Sequence, residues 1–269
     1  MQNKVVIITG ASSGIGLACA KEFAARGARL SLCARSADKL NKIKEELTTK
    51  GYDVIVTPVD VSNENDCKML VEETVKSFGR IDILINNAGI SMRGLFKDTD
   101  INVLQKVMGV NFWGAVYCTK YALPYLLKSK GSVTGISSIA GFMGLPGRTG
   151  YSASKFAMHG FLETLRVENY KTGLHVLIVA PGFTESNVRK SALNCTGEAQ
   201  GETPRDESKM MPASIVAKHI ANGIKKRRRT IILTFKEGKF AVFLHKWFPK
   251  LADKLSYSLL AKEPDSPFN

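Results

Sequence analysis

No stretch of this chain is apolar over the roughly 20 residues that a bilayer-spanning helix needs, so no spanning segment is expected. The strand-like run Val5-Val6-Ile7-Ile8 stands very near the first residue. A charged leader, an apolar signal core and a cleavage site have no room ahead of it, and the expected location is the cytoplasm. Paired cysteines are missing as well. Cys19, Cys33, Cys67, Cys118 and Cys195 are scattered without a CxxC spacing, which fits free thiols in a reducing compartment and argues against a disulfide framework. The histidines, His159, His175, His219 and His245, lack the i, i+4 or cysteine-partnered spacing of a zinc site, so no metal is expected. Asn194-Cys195-Thr196 matches a glycosylation sequon, expected to be idle without a secretory signal. Internal repeats, low-complexity linkers and a recognisable nucleic-acid module are also lacking, and nucleic acid is not an expected partner.

What is present is enough apolar sequence for one sizeable core: 269 residues, 44% hydrophobic and 23% charged, within reach of one domain over 1–269. The net charge is +14, and it is unevenly spread. Residues 205–269 hold 14 Lys/Arg against 6 Asp/Glu, so more than half of the excess lies in the last quarter. Short β-branched runs near 5–9, 29–34, 53–59, 82–86, 132–137, 175–180 and 230–234 alternate with helical patterns near 14–26, 37–50, 63–78, 100–128, 152–171 and 212–226. This is the rhythm of βαβ units. Runs such as Val5 to Ile8 are apolar without alternation, as strands covered on both faces are, and the expected class is α/β with a doubly wound parallel sheet. Residues 191–211 read as a substrate loop and 235–269 as a helical C-terminal extension.

The first strand ends in Thr9-Gly10-Ala11-Ser12-Ser13-Gly14-Ile15-Gly16 and runs straight into a helix. Gly10 allows the tight turn, Gly14 lets the backbone approach a pyrophosphate, and Gly16 permits close helix-strand packing beneath a positively polarised helix start. A glycine-rich turn without a ligand would look the same. After the second strand, Ala34 stands where an NAD site places its carboxylate, and Arg35 follows. Its guanidinium suits a 2'-phosphate, so NADP(H) is favoured over NAD(H), unless Arg35 merely ends a strand in water. Tyr151 and Lys155 lie one helical turn apart. Nearby positive charge is what a phenol needs for proton transfer at neutral pH. Ser138, thirteen residues before Tyr151, offers a hydroxyl to a substrate oxygen.

Together, TGASSGIG at 9–16, NNAG at 86–89, Asn111, the serine pair at 137–138, YSASK at 151–155 and PG at 181–182 resemble the short-chain dehydrogenase/reductase family over about residues 3–190. The resemblance implies a Rossmann-type sheet of order 3-2-1-4-5-6-7, Ser138 polarising the carbonyl, and Tyr151 passing the proton. Lys155 would hold the nicotinamide ribose and lower the tyrosine pKa, with Asn111 supporting a water-linked relay. It also implies cofactor contacts from Ser12, Ser13, Ile15, Asp60, Val61, Asn87, Ala88, Gly89, Pro181, Gly182, Thr184 and Ser186, beside the glycines, Arg35, Tyr151 and Lys155. Read from the residues alone, Asn87, Asn111 and Pro181-Gly182 have structural roles open to them: a bond between strands, a helix kink and termination of the sixth strand.

Met92, Phe142, Met143 and Leu145 follow the fourth and fifth strands, where an open α/β sheet takes its ligands. With Ser138 they form the candidate substrate pocket, for an apolar ketone or alcohol unless they are plain loop packing. Beyond residue 190 a basic run, Lys225-Lys226-Arg227-Arg228-Arg229, precedes an apolar stripe of Phe240, Phe243, Leu244, Trp247, Phe248, Leu251, Leu255 and Leu259, interrupted by Pro249. Packing on the core and peripheral contact with an anionic membrane are both open readings. Such tails are similar to those of the family branch with 11-beta-hydroxysteroid dehydrogenase-like and 3-ketosphinganine reductase-like enzymes. The expected activity is NADP(H)-dependent oxidoreduction of a carbonyl or alcohol, with a non-catalytic NADP-binding or membrane-surface module as the alternative and a homodimer or homotetramer as the expected assembly.

Overall fold

The computed structural model describes residues 1–184, 188, 191–201, 210–262, 266 and 268, without the side chains of 236 and 237. Seven parallel strands are ordered β3-β2-β1-β4-β5-β6-β7: β1 Val5–Thr9, β2 Arg29–Ala34, β3 Val54–Pro58, β4 Ile83–Asn86, β5 Ser132–Ile136, β6 His175–Ala180 and β7 Thr230–Ile232. The residues of β1, β4, β5 and β6 are buried throughout because helices cover both faces, which is why these segments read as unbroken apolar runs. On one face α1 (Gly14–Ala25), α2 (Ala37–Thr49) and α7 (Ala213–Lys225) bring Phe23, Leu40, Val216 and Ile220 against Leu30, Leu32 and Val179. On the other, α3 (Glu64–Phe78), α5 (Gly114–Lys128) and α6 (Thr149–Glu168) bring Leu70, Cys118 and Leu162 against Leu84 and Val133.

Chain progression reverses between β1 and its neighbour β4, so the loops after these strands splay apart and leave a crevice at the carboxyl edge. Local chemistry places the helices that flank it. Ser36 caps α2 by accepting from the Lys39 N–H, and Asn63 caps α3 through the N–H groups of Asn65 and Asp66. Gly79, at φ 72°, ends α3 in the left-handed conformation.

The long helix expected at 100–128 is instead α4 (Ile101–Met108), a π-helical turn at Gly109–Trp113, and α5. A Cβ on Gly114 would stand 2.8 Å from Val61 Cγ2, so the chain crosses the β3 loop closely. The widened turn sets Asn111 fully inside. The tail also departs from simple core packing. After β7 come a π-helical turn (Phe235–Phe240), α8 (Ala241–Trp247) and α9 (Pro249–Ala261), with Pro249 restarting the helix. Ala241 and Val242 pack toward Ile139, Met143 and Ala180, yet Trp247 and Leu259 remain 61% and 65% exposed. The basic run, also exposed, joins the end of α7 to the start of β7, at the opposite edge of the sheet from this tail. Among the described residues no helix is long and apolar enough to cross a membrane.

Candidate active site

The crevice is a cleft of about 640 Å³ running from the β1, β2 and β3 loops to the loops after β4, β5 and β6. Its first half is built around Thr9. The Thr9 hydroxyl accepts from the N–H groups of Asn87 and Ala88 at 3.0 and 2.9 Å. Asn87 Nδ2 returns bonds to the carbonyls of Thr9 and Gly10 at 2.8 and 3.2 Å, so this side chain does clamp strand ends together. Gly10, at φ 65°, leaves no space for a side chain, since a Cβ would lie 2.8 Å from Ala88 Cα. Gly16 lies against the Gly10 carbonyl, where a Cβ would sit at 2.3 Å. The N-terminus of α1 is open: Ser13 makes no side-chain capping bond and the first turn holds no acidic residue. Uncommitted N–H groups at a helix start facing a cleft are what a pyrophosphate needs, so the residues present fit a dinucleotide.

Gly10, Ser12, Ser13, Gly14, Ile15, Arg35, Asp60, Val61, Asn87, Ala88, Gly89, Pro181, Gly182 and Thr184 line this cleft with Ser138, Tyr151 and Lys155. Gly16 shapes it from beneath. The Oδ1 of Asp60 is engaged by the N–H and hydroxyl of Ser62. Ser186 lies outside the described residues. A second cation had escaped the sequence reading: Lys39, on the first turn of α2 four residues beyond Arg35, lines the same end of the cleft. The spacing of four across a helix start was the available signal.

At the other end, α6 begins at Thr149, three residues earlier than its periodicity implies. Tyr151 is hydrogen-bonded to Ser138, and burial pushes its phenol above the usual tyrosine value, only partly offset by that bond and by the charge of Arg148. Ser138 Oγ itself accepts from the Ala140 N–H at 3.2 Å. Lys155 is buried, its ammonium donating to the Ile136 carbonyl at 2.9 Å; burial lowers its pKa to about 8. Its nitrogen is 5.7 Å from the centre of the Tyr151 ring. In this arrangement Arg148 is the cation that draws the phenol pKa down; Lys155, its own pKa lowered to about 8 by burial, has lost its charge before the phenol titrates. Asn111 does not line the cleft. It exchanges bonds with the backbone of Ile90 at 2.8 and 2.9 Å and donates to Ser154 Oγ at 2.9 Å, holding the β4 loop against α6.

The four apolar pocket candidates separate. Leu145 lines the cleft. Met92 is fully buried with Val103, Val107 and Leu193, Met143 is buried with Ile139 and Ala180, and the Phe142 ring meets His159 edge-on at 4.6 Å. None of these three is among the residues that line the cleft: Met92, after β4, turns into a cluster with α4, and the turn after β5 folds back on the core before the chain reaches the opening. Ile90, Phe183, Val188, Leu193 and Ala199 line the cleft with Leu145, the last two from the segment 191–211 that the sequence marked as a substrate loop. No group of metal-ligating side chains occurs among the described residues.

The short chain dehydrogenase family model matches residues 4–195. Mouse dehydrogenase/reductase SDR family member 7B is 34% identical over 271 residues, covering 99% of this chain and 84% of its own length. Peanut 11-beta-hydroxysteroid dehydrogenase A is 46% identical over 206 residues, covering 76% of this chain and 58% of its own. Among solved structures, an alcohol dehydrogenase from Thermococcus sibiricus complexed with 5-hydroxy-NADP superposes with a TM-score of 0.77 at 26% identity, covering 87% of this chain and 96% of that one. A short chain dehydrogenase/reductase from Burkholderia phymatum in complex with NAD gives 0.76 at 26% identity, covering 86% and 88%.

Proposed function

Because this chain belongs to the short-chain dehydrogenase family, an oxidoreductase family of CH–OH and C=O chemistry with a nicotinamide cofactor, we propose that it uses NADPH to reduce an apolar ketone, such as a steroid or a 3-ketosphinganine-like lipid. The observation that carries this reading is the meeting of Ser138, Tyr151 and Lys155 in one cleft with an open helix N-terminus. When bound, the cofactor supplies the hydride. The glycine loop and the α1 N-terminus would hold its pyrophosphate, and Arg35 and Lys39 its 2'-phosphate. Asp60, Val61 and Ala88 would border the adenine, with Pro181, Gly182 and Thr184 beside the nicotinamide.

Ser138, whose oxygen already accepts from Ala140 and whose hydroxyl is bonded to Tyr151, would turn its proton to the substrate oxygen. Tyr151 keeps its proton at neutral pH because burial raises its pKa, which suits a group that must give that proton to a forming alkoxide. Lys155 would exchange the Ile136 carbonyl for the ribose and bring its charge to bear on the phenol. Relatives whose names include a hydroxysteroid dehydrogenase support a bulky apolar substrate. So does the tail, whose exposed Phe240, Phe243, Trp247 and Phe248 are interleaved with Lys239, Lys246 and Lys250 in the manner of a helix lying on an anionic membrane surface. Exposed Trp113 and Phe156 offer a face for self-association into a homodimer or homotetramer.

The test is NADPH oxidation across short ketones, polycyclic ketones and long-chain 3-keto lipids, with Tyr151→Phe beside the unaltered protein. The expected result is turnover of the apolar ketones and a loss of about 10³-fold in Tyr151→Phe with cofactor binding retained. Wild-type turnover in that variant, or no oxidation with any ketone, overturns the reading.

A further inference from the structure

His159 stands four residues beyond Lys155 and eight beyond Tyr151, on the same side of α6. It is buried, and its Nε2 lies 2.6 Å from Ser137 Oγ. Ser137 immediately precedes Ser138, lines the cleft, and donates its N–H to the Val179 carbonyl at 2.7 Å. The chain is shaped around this pair. A Cβ on Gly141 would stand 2.7 Å from both His159 Nε2 and Ser137 Oγ, and the Phe142 ring closes over the imidazole at an interplanar angle of 78°. Burial, with the charges of Lys155 and Arg166, lowers the imidazole pKa to about 4. At neutral pH His159 is therefore a neutral hydrogen-bond partner.

Four bonds join α6 to the end of β5 and the segment after it: Leu145 N–H to Ser152 Oγ at 3.2 Å, Lys155 Nζ to the Ile136 carbonyl at 2.9 Å, the Ser138–Tyr151 bond and the Ser137–His159 pair. The proposed function moves Lys155 to the cofactor and turns the Ser138 and Tyr151 hydroxyls to the substrate oxygen, which leaves the Ser137–His159 bond as the tether beside Ser138 that stays in place. Beyond Ser137 the turn is otherwise held by short-range bonds within 138–143. We propose that His159 is a positioning residue: acting through Ser137, it holds the turn so that Ser138 stays aligned with Tyr151 while Lys155 is engaged elsewhere. The inference rests on the roles given above to Ser138 and Tyr151.

The experiment compares His159→Phe, which keeps a ring against Phe142 but loses the bond, with Ser137→Ala, the double variant and His159→Gln, using a ketone that the unaltered enzyme turns over. Expected is a roughly ten- to hundredfold fall in kcat for each single variant, the scale of a small misplacement in a reacting site, with the Kd for NADPH unchanged. The double variant should be no worse than either single one, and His159→Gln should recover part of the rate because an amide can still bond Ser137. Wild-type kcat in folded His159→Phe, additive losses in the double variant, or an NADPH Kd that weakens in step with kcat would overturn the proposal. Should His159→Phe not fold, Ser137→Ala is judged on the same expectation. Tyr151→Phe separates the two readings: if it turns over normally, the site reading fails whatever His159 does.

Discussion

The two halves of the cleft are built differently. The cofactor half is made by strand ends that bond to one another, Thr9 to Asn87 and Ala88, Asn87 back to Gly10, and much of its wall belongs to short segments directly after a strand. The substrate half is closed by Leu145 from the turn after β5, Phe183 and Val188 after β6, and Leu193 and Ala199 from a loop that returns to Met92 and Arg93. Where backbone must approach a ligand, the requirement is local and appears as a motif. Where a wall depends on how a loop comes back, it is tertiary, and specificity follows from contacts far apart in sequence.

The largest test of this division is at the far end of the cofactor half. Arg35→Ser combined with Lys39→Ser removes the two cations assigned to the 2'-phosphate while leaving the glycine loop intact. The ratio of kcat/KM for NADPH over NADH is expected to fall by about 10²-fold or more, since each charge-assisted hydrogen bond is worth about 1.5–3 kcal/mol, with the NADH efficiency little changed. An unchanged ratio would mean that neither cation meets the 2'-phosphate and that selectivity is set elsewhere.

How much was legible follows the same line. The parallel sheet, the glycine loop and the meeting of Ser138, Tyr151 and Lys155 in one cleft could be read because each depends on residues close in sequence, on burial of both sheet faces, or on a recognisable spacing; the strand order followed from the family resemblance. The π-helical turn at Gly109–Trp113 could not, because it answers to the approach of Val61, fifty residues away. Met92 and Met143 were placed in the pocket by their position after a strand, and the side chains instead point into packed clusters. His159 reads in the sequence as an unremarked polar residue on an amphipathic helix; only the turn carrying Ser137 and Gly141 gives it a partner.

Lys155 sits where the halves meet, and its burial makes a prediction about stability. The folded protein releases this proton near pH 8, whereas an unfolded lysine keeps it to about 10.4. Between these values the unfolded chain binds more protons, so the Lys155 contribution makes stability rise with pH; below about pH 8 the full penalty of the buried charge is present. Relative to Lys155→Met, the cofactor-free protein should gain on the order of 2–3 kcal/mol between pH 8 and about pH 10 by denaturant melts. Above that, the raised Tyr151 pKa acts in the opposite direction, because the folded state then holds a proton the unfolded chain has lost. A gap between the two proteins that stays constant with pH would show that Lys155 is solvated in the absence of cofactor.

The smallest effect concerns the extension of the substrate half. The tail leaves Phe243, Trp247, Phe248 and Leu251 exposed, and Ala241 and Val242 at its start pack on the same Ile139, Met143 and Ala180 cluster as Leu145, which also lines the cleft. The basic run Lys225 to Arg229 is separated from it by the length of β7, and a flat membrane touching α8 and α9 has the tail's own lysines beside it rather than that run. In co-sedimentation with anionic vesicles, Trp247→Glu/Phe248→Glu should therefore weaken binding by about tenfold or more, through lost burial and added repulsion. Lys226→Glu/Arg228→Glu should change it by much less, although its formal charge change is larger. Added salt should weaken the unaltered protein's binding, since headgroup attraction contributes. The reverse ranking, with the basic run dominating, would move the membrane contact to the amino edge of the sheet and cut the tail off from the route by which an apolar ketone reaches Ser138 and Tyr151.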